Sequence, residues 1–202
     1  MPRFLPALAL LAVGLVLVLG ALLKPDNPDL LRFEVQGDTA YGYGFTDNRS
    51  VGAVRRLVRE NPDVTTLVLR NMPGTRDVVA NDRVGREIRR AGLRTHLEED
   101  SFIASGAVSL FLAGTERTME CGARIGVHAW GGTGFDAQGA VMDNMRGFLR
   151  DYLSDMGIDP DFYDYTRDAA GADDLHIMTP DEVREWELLT TPLVCDAASP
   201  SL

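Results

Sequence analysis

The sequence predicts an α/β domain over residues 30–194, preceded by an apolar N-terminal helix. Three observations carry this reading. Short runs with strand character, VTTLVLR (64–70), LRTHL (93–97) and ARIGVHAW (123–130), alternate with stretches of helical periodicity. Those helical stretches close at turn residues, Asn61-Pro62, Gly92 and Gly114. Ahead of them, residues 4–23 form 20 consecutive uncharged positions between Arg3 and Lys24.

That first segment is long enough to cross a bilayer as a helix, for which about 20 apolar residues are needed. The apolar region of a secretory signal is usually shorter, ~7–15 residues, so residues 1–24 read as a signal anchor ahead of a cleaved signal peptide. Leu19 is also a poor control residue for cleavage after Ala21. Arg3 and the terminal amine hold the short N-terminus inside, which places the remainder outside the cytoplasm, in the periplasm, or secreted if the segment is cleaved. KPDNPD then opens a polar linker that runs to residue 29, and residues 195–202 read as a C-terminal tail.

The net charge of −10 argues against nucleic acid or an anionic membrane surface as the principal partner. Lys24 is the single lysine, so nearly all basic residues are arginine. Cys121 and Cys195 are the two cysteines. In an oxidising compartment they are compatible with a disulfide; two unpaired buried thiols is the other reading. No metal-like spacing of Cys and His occurs and no phosphate-binding loop is found, so neither metal nor cofactor is expected.

LRFEVQG and AYGYGF read as two short strands joined at Gly37-Asp38. Residues 50–59 are amphipathic, with Val51, Val54, Leu57 and Val58 on the apolar side. The buried strand 64–70 runs into the turn Asn71-Met72-Pro73-Gly74-Thr75. A helix over residues 77–91 follows, with Ala80, Val84, Ile88 and Ala91 on one face, and LRTHL returns as a strand with His96 on its polar side and no catalytic role. The segment SFIASGAVSLFLAG carries Ser105 on a small-residue turn ahead of an apolar helix of about three turns. A serine there has backbone N–H groups beside its hydroxyl, the arrangement that stabilises an oxyanion. ARIGVHAW then alternates, with Ile125, Val127 and Ala129 on one side and Arg124, Gly126 and His128 on the other. Taken singly, Ser105 could simply cap its helix and His128 could be a structural residue. After a glycine-rich loop, residues 140–156 form a further helix whose Val141, Met145, Phe148, Leu149 and Tyr152 recur at helical spacing. Thr179-Pro180-Asp181-Glu182 starts the last one.

The order PGT, helix, RRAGLRTHL, ASGAVSLFLAG, Arg117 and GVHAWGG resembles the ClpP/crotonase superfamily over residues 30–190. Within it the chain is similar to the proteolytic subunit of Clp protease, and above all to exported, membrane-associated bacterial hydrolases. The resemblance implies a repeated ββα superhelix behind the N-terminal helix. It implies Ser105 as nucleophile, His128 as base and an acid from DPDFYDYTRDAAGADDLHIMTPDEV. Asp164 falls best at the matching position, with Asp161 and Asp168 beside it. Gly74, Thr75 and Gly106 stand where the family places its oxyanion hole, although Thr75 replaces the second glycine of the family's turn. The 140–156 helix matches one used in ring assembly, which is compatible with a homo-oligomer; ordinary packing, within or between subunits, is the other reading of its apolar stripe.

Four functions compete on these grounds. A membrane-tethered, extracytoplasmic serine hydrolase, acting on a peptide or other acyl substrate at the inner membrane, uses Ser105, His128 and Asp164. A Ser-Lys dyad fails because Lys24 abuts the apolar segment. An acyl-CoA enzyme would need no Ser-His pair. A catalytically inactive binding or scaffold module at the membrane would keep the fold without the chemistry.

Overall fold

The computed structural model describes residues 29–129 and 140–195. The apolar run at 4–23 and the glycine-rich loop lie outside them. Among the described residues no helix is long and apolar enough to cross a membrane.

The organising strand is β3 (Thr66–Met72), whose Leu67, Val68 and Leu69 are all buried, as a strand covered on both faces requires. It starts and ends two residues later than the VTTLVLR run, because Asn71 and Met72 are paired too. On one side β1 (Arg32–Gln36) and β2 (Thr39–Tyr43) form an antiparallel hairpin through Gly37, at φ 62°, and β2 pairs in parallel with β3. On the other side β3 forks. Its first half, Thr66–Val68, pairs with β4 (Arg94–Leu97), which pairs with β6 (Arg117–Met119). Its end, Asn71–Met72, pairs with β5 (Phe102–Ala104), which pairs with β7 (Arg124–Val127). The two-residue β8 (His176–Ile177) closes that branch antiparallel to β7.

Helices join these strands: α1 (Ser50–Glu60), α2 (Val78–Arg90), α3 (Gly106–Leu112), α4 (Ala140–Asp155), α5 (Phe162–Ala169) and α6 (Pro180–Glu185). The order β4–β5–α3 and then β6–β7–α4 is a ββα unit used twice, each sending one strand to either branch of the fork. α1 packs on α2 and α2 on α3, and one cluster joins Leu67, Leu69, Ile103 and Ile125 to Val54, Val84, Ile88 and Phe111.

Three details differ from the sequence reading. β5 and β6, three residues each, are too short to display an alternating pattern. α3 has about two turns, since Ala113 and Gly114 already close it with N–H bonds to the Ser109, Leu110 and Phe111 carbonyls. The acid-rich segment around Asp164 forms α5. At the C-terminal end Cys195, placed in the tail by the sequence, is bridged to Cys121 across a Cα separation of 5.7 Å.

Candidate active site

Ser105 occupies the single-residue turn from β5 into α3, at φ 52° and ψ −127°. For an L-residue other than glycine this conformation costs on the order of 1–3 kcal/mol and persists only where the surroundings impose it. Two neighbours impose it. The Ser105 N–H donates to the Gly126 carbonyl at 3.0 Å, extending the β5–β7 ladder by one residue, and α3 begins directly afterwards. The side chain makes no capping hydrogen bond to the helix it precedes, so the capping role open to the sequence is not the one it takes.

His128 directly follows β7, two residues beyond that carbonyl, and the parallel register therefore delivers it to the same end of the branch as Ser105. Ser105 and His128 line one cavity of about 90 Å³. Its remaining walls are largely apolar, drawn from Val78, Val108, Leu112, Leu149, Leu153 and Phe162, with the Tyr152 ring among them. Tyr152 is buried, donates to the Ser109 carbonyl at 2.7 Å, and burial pushes its phenol far up, so it stays neutral. Little water competes inside such a lining, which strengthens any hydrogen bond made there.

The Pro73-Gly74-Thr75 turn closes the site over Ser105. Gly74 adopts φ 144°, and a Cβ on it would lie 3.2 Å from Ser105 Cβ. The positive φ falls on Gly74, so Thr75, in the position of the family's second glycine, is spared it. Thr75 instead sits against Gly106, where a Cβ would meet Thr75 Cγ2 at 2.5 Å and Thr75 N at 3.2 Å. Gly106 is glycine because this approach leaves no room for a side chain. Thr75 bridges to Thr46, but that bridge is bonded through the Gly74 carbonyl and the Arg76 N–H, leaving the Thr75 N–H outside it. The Gly106 N–H, in the first position of α3, has no acceptor within its helix. Thr75 and Gly106, two of the residues expected to form an oxyanion hole, thus lie against each other and line the cavity with Ser105.

The expected acid is elsewhere. Asp164, on α5, accepts from Arg146 at 2.7 Å and Arg150 at 2.6 Å and does not line the cavity. The Arg146 hydrogen bond, against some opposition from burial, holds its carboxyl below the usual range. Asp161 accepts from Arg150 and Asp168 is exposed. His128 Nδ1 is buried with no hydrogen-bond partner among the described residues. From α5, Thr166 reaches the cavity instead, its hydroxyl donating to the Tyr163 carbonyl at 2.7 Å. His96 pairs with Thr118 and lies apart from the site. No cluster among the described residues could hold a metal ion.

Sequence reasoning missed Asn81 and Thr46, both buried beside this turn. An asparagine within an amphipathic helix, four residues after its cap, was the available signal.

No family model matches the sequence, and no curated protein matches it. Solved structures do. A serine-to-alanine variant of the 1510-N membrane-bound stomatin-specific protease superposes with a TM-score of 0.53 at 12% identity, over 78% of this chain and 80% of that one. A lysine-to-alanine variant of the same protease, in complex with a substrate peptide, gives 0.54 at 13% identity over 82% and 79%. A putative enoyl-CoA hydratase from Streptomyces coelicolor A3(2) gives 0.50 at 14% identity over 83% and 67%. At these identities the likeness is one of fold. The chain shares its α/β fold with this protease and this putative hydratase.

Proposed function

We propose that this chain is a serine hydrolase acting on peptides, with Ser105 as nucleophile and His128 as general base. The observation that carries the reading is the strained backbone of Ser105 at a strand-to-helix turn, in a cavity it shares with a histidine. The strain that the β5–β7 pairing and the immediate start of α3 impose on Ser105 leaves its hydroxyl uncommitted to its helix, as a nucleophile at a strand-to-helix turn requires. The fold is shared by a protease and a putative hydratase, so the site has to choose between them. A Ser-His pair beside two free amide N–H groups suits acyl transfer.

In this reading Ser105 Oγ attacks the scissile carbonyl carbon as its proton passes to a His128 ring nitrogen. The carbonyl oxygen becomes an oxyanion held by the Thr75 and Gly106 N–H groups. Collapse breaks the C–N bond, and the histidine returns its proton to the departing amine. Water, deprotonated by the same histidine, then releases the acid and restores Ser105. The apolar walls favour an uncharged, apolar group next to the scissile bond. The third residue of the expected triad, Asp164, would have to leave two arginines to reach His128, so the pair works without it in this arrangement. Lys24, the one lysine, abuts the apolar run in the sequence and is given no role in this reading.

The 20-residue apolar run with Arg3 before it supports a tethered domain outside the cytoplasm, and the Cys121–Cys195 bridge suits an oxidising compartment. One observation favours the other reading, a binding module without activity: His128 Nδ1 has no hydrogen-bond partner among the described residues. Covalent labelling separates the two. The protein is expected to react with a serine-directed fluorophosphonate at Ser105, with Ser105→Ala abolishing and His128→Ala severely reducing the reaction. Folded protein labelled no more than Ser105→Ala would establish the binding module instead.

A further inference from the structure

Asn81 is 4% exposed and Thr46 is fully buried, and their side chains are bonded to each other although 35 residues separate them. Asn81 lines the cavity beside Ser105 while Thr46 lies behind it, and neither is an acid, base or nucleophile there. Their bonds run elsewhere. Asn81 Nδ2–H donates to the Gly106 carbonyl at 2.8 Å. A carbonyl only accepts, so this bond fixes the amide's orientation and turns Oδ1 towards Thr46. The Thr46 hydroxyl donates to that Oδ1 at 2.6 Å.

Thr46 carries the connection to the turn. Its N–H donates to the Gly74 carbonyl at 3.2 Å, and its carbonyl accepts from the Arg76 N–H at 2.8 Å and, weakly, from the Thr75 hydroxyl at 3.4 Å. The chain Gly106–Asn81–Thr46–Gly74 therefore ties the first residue of α3 to the turn beside it, with no solvent-exposed member. α2 is itself anchored nearby, since Asp77 accepts from the Ala80 N–H and the Asn81 N–H donates to the Asp77 carbonyl.

We infer that Asn81, held by Thr46, is the positioning residue that sets the relative orientation of the Thr75 and Gly106 N–H groups. The inference rests on the hydrolase reading above and deepens it. The two donors come from segments about 30 residues apart in sequence, and contact between Thr75 and Gly106 alone sets only how close they come. The Asn81–Thr46 link sets their relative rotation, because it grips the carbonyl of Gly106 on one side and the peptide of Gly74 on the other. An oxyanion hole depends on donors already aimed at the position where charge develops. Although Asn81 lines the cavity, its side-chain bonds are to the Gly106 carbonyl and Thr46, so it acts through those backbone groups.

The test uses the full chain, a fluorophosphonate probe and a short-chain p-nitrophenyl ester. Asn81→Leu keeps approximate volume and removes both side-chain bonds. It is expected to slow Ser105 labelling and kcat by about 10²-fold, on the scale of losing one oxyanion donor, with KM within about twofold. Thr46→Val removes only the hydroxyl and is expected to show the same kcat-selected loss at smaller size, about tenfold, with Thr46→Ser restoring it. A role in stability alone would lower the melting temperature without dividing kcat from KM. If Asn81→Leu does not fold, the Thr46→Val and Thr46→Ser pair decides by the same criterion. Wild-type rates in folded Asn81→Leu, or in Thr46→Val, overturn the inference while leaving the hydrolase in place. An unreactive wild type overturns both.

Discussion

The Ser105 N–H is bonded to the Gly126 carbonyl at 3.0 Å, so the serine enters its turn as the last hydrogen-bonded residue of the β5–β7 pairing. This one bond ties Ser105 to the strand that leads into His128. It sets the height of Ser105 relative to a strand that ends one residue before His128, and it leaves the Ser105 backbone to reverse direction within a single residue. The positive φ follows from that demand.

The first prediction tests the strain directly. Ser105→Gly and Ser105→Ala both remove the hydroxyl, but only glycine adopts φ 52° without steric cost. Glycine's greater unfolded-state entropy offsets about 0.5–1 kcal/mol of a release of roughly 1–3 kcal/mol. Ser105→Gly is therefore expected to exceed Ser105→Ala in stability by about 1 kcal/mol, read as a difference of a few degrees in melting temperature. Equal melting temperatures would mean that the surroundings do not impose this conformation.

Much of this site could be read in the sequence. Helical periodicity placed α1 and α2, and the alternation in ARIGVHAW placed β7 and with it His128. The small residues around Ser105 marked a tight turn. The strain at Ser105 was not legible, because it arises from the partner strand. Nor was the neighbourhood of Asp164. In a chain with 30 acidic and 20 basic residues, sequence order cannot tell which carboxylate an arginine will take. Here Arg146 and Arg150 reach Asp164 from α4, while Tyr163 and Thr166 on either side of it line the cavity with His128.

Asp164→Asn is the second prediction. The carboxylate is paired with two arginines, so labelling of Ser105 is expected to fall less than tenfold, against the roughly 10⁴-fold loss seen when a functioning triad aspartate becomes asparagine. The effect on stability has a pH signature. Because the folded-state pKa is lowered, the contribution is fully present above the unfolded value and is lost as pH falls through the lowered one. Wild type and Asp164→Asn should therefore differ in urea stability at neutral pH and converge in acid. A 10³-fold or larger loss of labelling would instead mean that Asp164 leaves its arginines for the histidine.

The third concerns the bridge. Cys121 and Cys195 are 74 residues apart in sequence, and closing a loop of that length restricts the unfolded chain by about 4 kcal/mol. Thiol alkylation of unreduced protein should leave both cysteines unmodified by mass spectrometry. Reduction is expected to lower the melting temperature by several degrees while Ser105 stays reactive at moderate temperature, because neither cysteine lines the cavity. Loss of reactivity before any loss of structure would tie the bridge to the site rather than to stability.

The fourth addresses what the cavity admits. Leu149, on α4, is only partly buried and lies in the wall of the cavity, so a larger side chain can enter there without disrupting the main cluster. Filling about 90 Å³ with the extra bulk of an indole leaves little room for an apolar substrate group. Leu149→Trp is expected to retain labelling by a small fluorophosphonate within about threefold, since neither Ser105 nor its amide donors move. Cleavage after a bulky apolar residue should fall at least tenfold in kcat/KM, the scale of excluding a few methylene groups from an apolar pocket, and cleavage after alanine should fall much less. The comparison is internal to one variant, so a general loss of folded protein would depress all three rates together. Equal loss for bulky and small substrates, with labelling intact, would show that the apolar cavity is not where the substrate's side chain binds.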